Sequence, residues 1–332
     1  MQAFVPVGAS LRPPSIPKDL FVRVERISVG NISPAPQKAP TPPPEPPPTP
    51  AMRARKLVKT LETVGPGLEE PTVRALLKLG PEVLPVIGEG FPGLLWFNRR
   101  YPHRAVARGR DVSPVARTLV AFGEASVETV ARLMRDRHPD IRFYATLVAQ
   151  DLGAPGLFHS LAEATLDDDP GVREVAAAAL IGIGPDATAH ACGAVRSAVR
   201  DDLLMRVPLT YAIAALTRMR DPSAARVLVP LLGPDDPELN DLTIRALAVL
   251  TGQTFGRDVK AWTKWLDKNE RRGRVEWLLE SLERGHESVF DFVCDELAHL
   301  SGERLGEASA SSSRDRKQLA KAYREHWRRR GA

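Results

Sequence analysis

A short phrase returns along this chain and limits its fold more than any other feature. His138-Pro139-Asp140-Ile141-Arg142 is followed 31 residues later by Asp169-Pro170-Gly171-Val172-Arg173. Asp236-Pro237-Glu238-Leu239-Asn240 comes 67 residues after that. Recurrence at a few tens of residues is the signature of stacked helical units, none of which can bury both of its faces alone.

The residues after each phrase have helical spacing. Ile141, Tyr144, Ala145, Val148 and Leu152 lie at steps that fall on one stripe of a 3.6-residue helix, and Val172, Val175, Ala176, Ala179 and Ile183 repeat them. Leu239, Leu242, Thr243, Ala246 and Leu250 give a third copy, and Tyr211, Ala212, Ala215, Leu216 and Met219 a worn one between. Alanines at 145, 176 and 179 allow close helix approach. Each full phrase places proline at a first helical turn, after aspartate as a cap in two of the three copies, and Gly153, Gly184 and Gly252 are stops. A second helix is expected in each unit, on Val127, Val130, Ala131 and Met134, then Leu157 with Leu161, then Ala224, Val227, Leu228 and Leu231. An earlier unit fits Thr72 to Gly90. Leu250-Thr251-Gly252-Gln253-Thr254-Phe255-Gly256 returns 50 residues later as Leu300-Ser301-Gly302-Glu303-Arg304-Leu305-Gly306. Aromatic helices come after both copies, with Trp262 and Trp265 in one and Tyr323 and Trp327 in the other. The residues 308–313 between read as a loop, and the charged last helix as an end cap.

These patterns predict an all-α solenoid of about six to seven helix pairs over residues 53–332, with an insertion at 91–111 and extended repeats at 236–332. Composition agrees: 43% of the 332 residues are hydrophobic but only 6% aromatic, so alanine and leucine must fill a helical core. Residues 1–32 are ambiguous; Asp19 to Val29 partly alternates as one strand would, and one strand does not stand alone. Residues 33–52 read as a linker, because ten of the seventeen residues from Pro34 to Pro50 are proline and favour extended polyproline II. The same stretch, residues 40–50, also offers PxxP spacing to a proline-reading domain. The start of the chain lacks the pattern of a signal peptide, and no apolar run reaches the ~18 residues of a membrane span, so a cytoplasmic protein is expected.

The segment from Asp168-Asp169-Pro170-Gly171-Val172-Arg173 to Leu180 resembles the HEAT repeat in its short bacterial form, that of the phycobilin lyases; residues 138–152 and 236–250 are weaker copies. The stretch from Leu250-Thr251-Gly252 to Trp265 is similar to an ending of bacterial HEAT-repeat proteins. The resemblance covers about residues 65–330 and implies a right-handed α-solenoid used mostly as an interaction scaffold. Some members handle a chromophore and others DNA, but no residue set for either activity carries over. The worn fourth unit and the 91–111 insertion depart from the pattern.

The insertion is the expected contact site for a partner. Trp96, Phe97, Arg99, Arg100, Tyr101, His103 and Arg104 bring aromatic rings and guanidinium groups together, with five arginines and no acid from Asn98 to Arg110. That chemistry holds phosphate, stacks on bases or anchors a protein interface. The plainer alternative is a long loop folded over the solenoid with its aromatics buried and its arginines in water. A net charge of +5 allows nucleic acid as a partner without requiring it. Arg132, Arg135 and Arg137, Arg196 with Arg200, and Lys260, Lys264 and Lys268 are basic, but Glu163, Asp167, Asp168 and Asp169 interrupt them. Trp262 and Trp265 are expected to clamp the preceding helix with Phe255, with Asp258 as the cap of their own. Glu296 stands where other copies carry alanine, either at the core edge or facing an arginine of the last helix. Cys192 and Cys294 read as buried free thiols, and His286, His299 and His326 lack metal-ligand spacing. No catalytic, cofactor or metal residues are expected. The expected function is a non-catalytic scaffold or adaptor for a protein partner. A nucleic-acid binder, with a base-handling enzyme as one form of it, and a regulatory module of a larger enzyme assembly are the alternatives.

Overall fold

The computed structural model describes residues 48–200, 206–233, 236–309 and 311–330. The strand-like stretch near Phe21 and the prolines before Pro48 lie outside these residues. Within them the chain forms α1 (Pro50–Leu61), α2 (Glu70–Lys78), α3 (Leu84–Glu89), α4 (Pro114–Ala121), α5 (Val127–Leu133), α6 (Pro139–Leu152), α7 (Phe158–Ala164) and α8 (Pro170–Ile183). It continues with α9 (Pro185–Arg200), α10 (Arg206–Arg218), α11 (Ala224–Leu228), α12 (Pro237–Thr251), α13 (Val259–Asn269), α14 (Arg274–Arg284), α15 (Phe290–Ser301) and α16 (Ser313–Arg330). No strand occurs among the described residues.

The helices stack in two rows. In the first row α2, α4, α6, α8, α10, α12, α14 and α16 each touch the next. In the second, α3, α5, α7, α9, α11 and α13 do the same, with α7 reached through the helical turn that leads into it. The fold is an α-solenoid in which α2 to α15 make seven successive pairs, with α1 in front and α16 behind.

The local signals work as their chemistry requires. Asp169, Asp236 and Asp258 accept the Val172, Leu239 and Ala261 N–H groups at 2.9, 3.0 and 2.9 Å, and proline opens α8 and α12. The helical stripes are buried at Tyr144, Ala145 and Val148, at Val172, Val175, Ala176 and Ala179, and at Thr243, Ala246 and Leu250. In the worn copy Ala212, Ala215, Leu216 and Met219 are buried, but Ile213 rather than Tyr211 fills the core.

Gly252 ends α12 with φ 72°, and Gly302 ends α15 with φ 82°, so the 50-residue duplication is also a structural one. A Cβ on Gly252 would meet Leu278 and Ser281 at 3.1 Å in a left-handed conformation. Gly252→Ala is therefore expected to lose at least about 1–2 kcal/mol, read as a lower urea midpoint.

Three boundaries move. Pro50, Ala51 and Met52 belong to α1, capped by the Thr49 side chain, and are not linker. Ser313 is the first residue of α16 rather than part of the loop, whose Ala310 lies outside the described residues. The duplicated C-terminal unit holds three helices, since α14 comes after α13 inside one period. As a result α15, the sequence copy of α12, does not continue the α12 line; α14 and α16 do. These last helices share a core of Leu278, Leu282, Val293, Leu297 and Tyr323 beside the main one. No helix among the described residues is long and apolar enough to cross a membrane.

Candidate functional site

The insertion is a strap held to the first-row helices. The Trp96 and Phe97 N–H groups donate to the Val112 carbonyl at 2.9 and 3.3 Å. Phe97 is buried, with the His103 ring 4.3 Å from its own. The Arg99 N–H donates to Tyr144 Oη on α6 at 3.0 Å. Its guanidinium grips both Asp169 oxygens at 3.1 and 2.6 Å, reaches Asp140 at 2.9 Å and lies over Phe143. Arg110 holds Asp151 at the far end of α6 at 2.9 Å. Between these anchors Gly109 runs so close to α6 that a Cβ there would stand 2.6 Å from the Val148 Cα. Hydrogen bonds from Arg99, outweighing burial, keep the Asp169 carboxyl below the ordinary aspartate value.

The seven expected contact residues therefore divide. Trp96, Phe97 and Arg99 are turned to the helices, with the Arg117 guanidinium 5.0 Å from the Trp96 ring. Arg100 is exposed and paired with Asp140, and the exposed His103 meets the Asn98 carbonyl. Tyr101 and Arg104 face water, and no hydrogen bond or ion pair holds Arg104 among the described residues. The aromatics are mostly packed, as a folded loop requires, but Arg99 is neither solvated nor free for a partner. Arg99→Ala is expected to lower stability by about 1.5–3 kcal/mol, as for hydrogen bonds to charged groups. Arg104→Ala should stay within about 0.5 kcal/mol of the parent chain. Thermal and urea unfolding of the two variants, side by side, check the division.

A groove lies on the first-row face across α8, α10 and α12. It encloses about 490 Å³ and is lined by Arg173, Glu174, Ala177, Tyr211, Ala214, Arg218, Arg220, Leu242, Arg245 and Val249, among others. Four of these side chains are cationic and one is anionic.

The internal repeat shows how Arg173 differs from its equivalent, Arg142. Arg142 Nη1 donates to the Asp136 and Arg137 carbonyls at 2.9 and 3.2 Å, and its Nε and Nη2 take both oxygens of Asp167 at 2.6 and 2.7 Å. Thirty-one residues on, Arg173 Nη1 donates in the same way to the Asp167 and Asp168 carbonyls at 2.6 and 3.1 Å. No carboxylate among the described residues closes on the rest of its fork; the guanidinium instead lies 3.7 Å from the Tyr211 ring centre. Arg245 is exposed and has no ion-pair partner among the described residues. Arg218 meets Glu174 at 3.0 Å, an exposed pair of small energetic weight.

Beneath one end of the groove, Arg220 and Arg274 both hold Glu296, at 2.8 and 2.6 Å. Arg220 stands just after α10 with a left-handed φ of 55°, and Arg274 opens α14, so the arginines that meet Glu296 are not those of the last helix. Burial acts to raise the Glu296 carboxyl, but hydrogen bonds from the two arginines outweigh it and hold it below the usual glutamate value.

Elsewhere some of the basic positions are neutralised, as their interruption by acids implies: Arg135 pairs with Glu163, and Arg196 with Asp221. Trp262 and Trp265 pack on Phe255, and Trp265 also meets Trp277. Cys192 and Cys294 are free and buried, their thiols pushed by desolvation up to about 12 and about 11. No metal-binding group of His, Cys, Asp and Glu occurs among the described residues.

Tyr211, Arg218 and Arg245 were not among the expected site residues. The only sequence signal for Arg173 was its place in the phrase, which it shares with Arg142.

No family model matches the chain, and no curated protein matches it. Among solved structures the chain is similar to two engineered proteins of the Northeast Structural Genomics Consortium. One is 18% identical, with 83% of this chain and 78% of that one covered and a TM-score of 0.32. The other is 17% identical, with 82% and 97% covered and a TM-score of 0.29. Likenesses this weak carry no argument about what the groove holds.

Proposed function

We propose that the chain is a non-catalytic scaffold or adaptor, a solenoid of short HEAT type that holds a protein partner against its first-row face. The observation that supports this is the groove across α8, α10 and α12: an open recess with an alanine floor, an aromatic wall and arginines whose charge the chain does not fully use. Such a surface joins apolar burial to directional charge recognition, as protein interfaces do. A cytoplasmic setting belongs to the same reading and fits two free cysteines. Nucleic acid is the less favoured partner, because acids such as Glu163 and Asp167 interrupt the phosphate track that the arginines would have to form.

Affinity capture with the intact chain, an Arg173→Ala/Arg245→Ala variant and a Tyr101→Ala/Arg104→Ala variant tests the proposal. A protein held by the intact chain and lost only from the first variant supports it. Loss only from the second moves the contact to the strap, and recovery of nucleic acid in place of protein overturns the scaffold reading.

A further inference from the structure

We infer that the α8–α10–α12 groove recognises an acidic peptide segment, one whose aspartate or glutamate closes on Arg173 as Asp167 closes on Arg142. The inference rests on the scaffold reading and names the chemistry of its partner.

Internal repetition carries the argument. Two equivalent arginines anchor one Nη atom on the same pair of backbone carbonyls, 31 residues apart. In one copy the planar fork is completed by a bidentate carboxylate from the chain itself. In the other the fork is already oriented, by two carbonyls and the Tyr211 ring, and no carboxylate among the described residues completes it. A guanidinium pre-set in this way favours a planar, doubly accepting anion, and little side-chain freedom is lost when one binds.

The surroundings reinforce that preference. Arg245 on α12 supplies a cation with no ion-pair partner among the described residues, and Arg218 can exchange its exposed contact with Glu174 for a ligand carboxylate. Among the described residues, Glu174 faces Arg218, Glu296 is held beneath by Arg220 and Arg274, and Asp168 points to water. Between the cations, Ala177, Ala214, Leu242 and Val249 leave space for an apolar side chain. An extended segment with acids flanking an apolar residue fits both features. A phosphate backbone would gain from the cations but not from this apolar floor.

The test is selection of random twelve-residue peptides displayed on phage against the intact chain, followed by fluorescence anisotropy with the best labelled peptide. Two variants accompany it. Arg173→Lys keeps the charge and removes the fork; Arg245→Ala alters an exposed side chain with no ion-pair partner among the described residues and so leaves folding intact. The expected result is a recovered set enriched in Asp and Glu beside an apolar residue. Its binding should weaken with salt, fall about tenfold in Arg173→Lys and fall several-fold in Arg245→Ala. Recovery of no peptide, or of neutral or basic ones, overturns the inference. So does an acidic peptide that binds both variants like the parent, or one displaced by a tighter-binding single-stranded oligonucleotide. If the capture experiment shows a groove-dependent protein while selection shows no acidic preference, the scaffold reading stands and this inference falls. If capture shows loss only from the strap variant, the groove is not the contact and this inference falls, while the scaffold reading keeps the strap.

Discussion

Replacing Glu296 with alanine is expected to destabilise the chain by about 3–5 kcal/mol, the usual result of removing one partner from a buried ion pair. Arg274 is nine-tenths buried and also donates to the Val249 and Leu250 carbonyls, so it cannot swing out to water without giving up those bonds. Without Glu296 its charge faces Arg220 with no counter-ion. Urea unfolding checks the size of the loss, and a shift below about 1 kcal/mol would mean that water reaches Arg274. The same group carries a pH dependence. Its folded pKa is depressed, so its stabilisation is fully present above the unfolded glutamate value of about 4.3 and disappears as pH falls through the folded value. The urea midpoint of the parent chain should therefore fall more steeply than that of Glu296→Gln below about pH 4.3. Parallel curves would exclude Glu296 as a source of acid sensitivity.

Trp262→Ala is expected to lose a comparable amount, about 3–5 kcal/mol. The side chain is fully buried, meets Phe255 edge to face at 4.8 Å and donates its indole N–H to the Gly256 carbonyl at 3.0 Å. Alanine would empty the space between α13 and the turn that leads into it and leave that carbonyl without its donor. Trp262→Phe should recover most of the packing and lose chiefly the hydrogen bond, about 1–2 kcal/mol. Equilibrium unfolding of both variants distinguishes the two contributions, and equal losses would show that the indole N–H decides stability here.

Residues with local meaning could be read from the sequence. Proline at a first turn, aspartate as a cap and glycine at a left-handed stop act within a few residues, and the stripes on α6, α8 and α12 are buried where their spacing puts them. α14 escaped because no phrase opens it: Gly273 precedes Arg274, and no capping side chain marks the start. Alignment with the other copies puts Tyr211 in the core. The buried positions of α10 run instead from Ala212 through Ile213 to Leu216, which leaves the tyrosine at the edge of the stripe and free to form the groove wall. The Arg99 contacts could not be found by pattern, since Asp169 lies 70 residues away and already had a reading as a helix cap. It serves both purposes, one oxygen accepting from Val172 and from Arg99 and the other from Arg99 alone. Glu296 stood out as a polar residue on an apolar stripe, but its partners depend on how distant helices stack.

A stack of helix pairs bends like a coil spring, because each turn of it touches only its neighbours. Here the compliance is unevenly distributed. The strap ties α6 to the cap of α8, stiffening one end, while Glu296 ties the end of α10 to α14 and α15, stiffening the other. Between the two stiff blocks lies the seam of α8 and α10, bridged at the surface by the exposed Arg218–Glu174 pair. The groove straddles that seam, with Arg173 on one block and Arg245 on the other. A ligand of the proposed kind that bridges Arg173 and Arg245 would span that seam and restrict its bending.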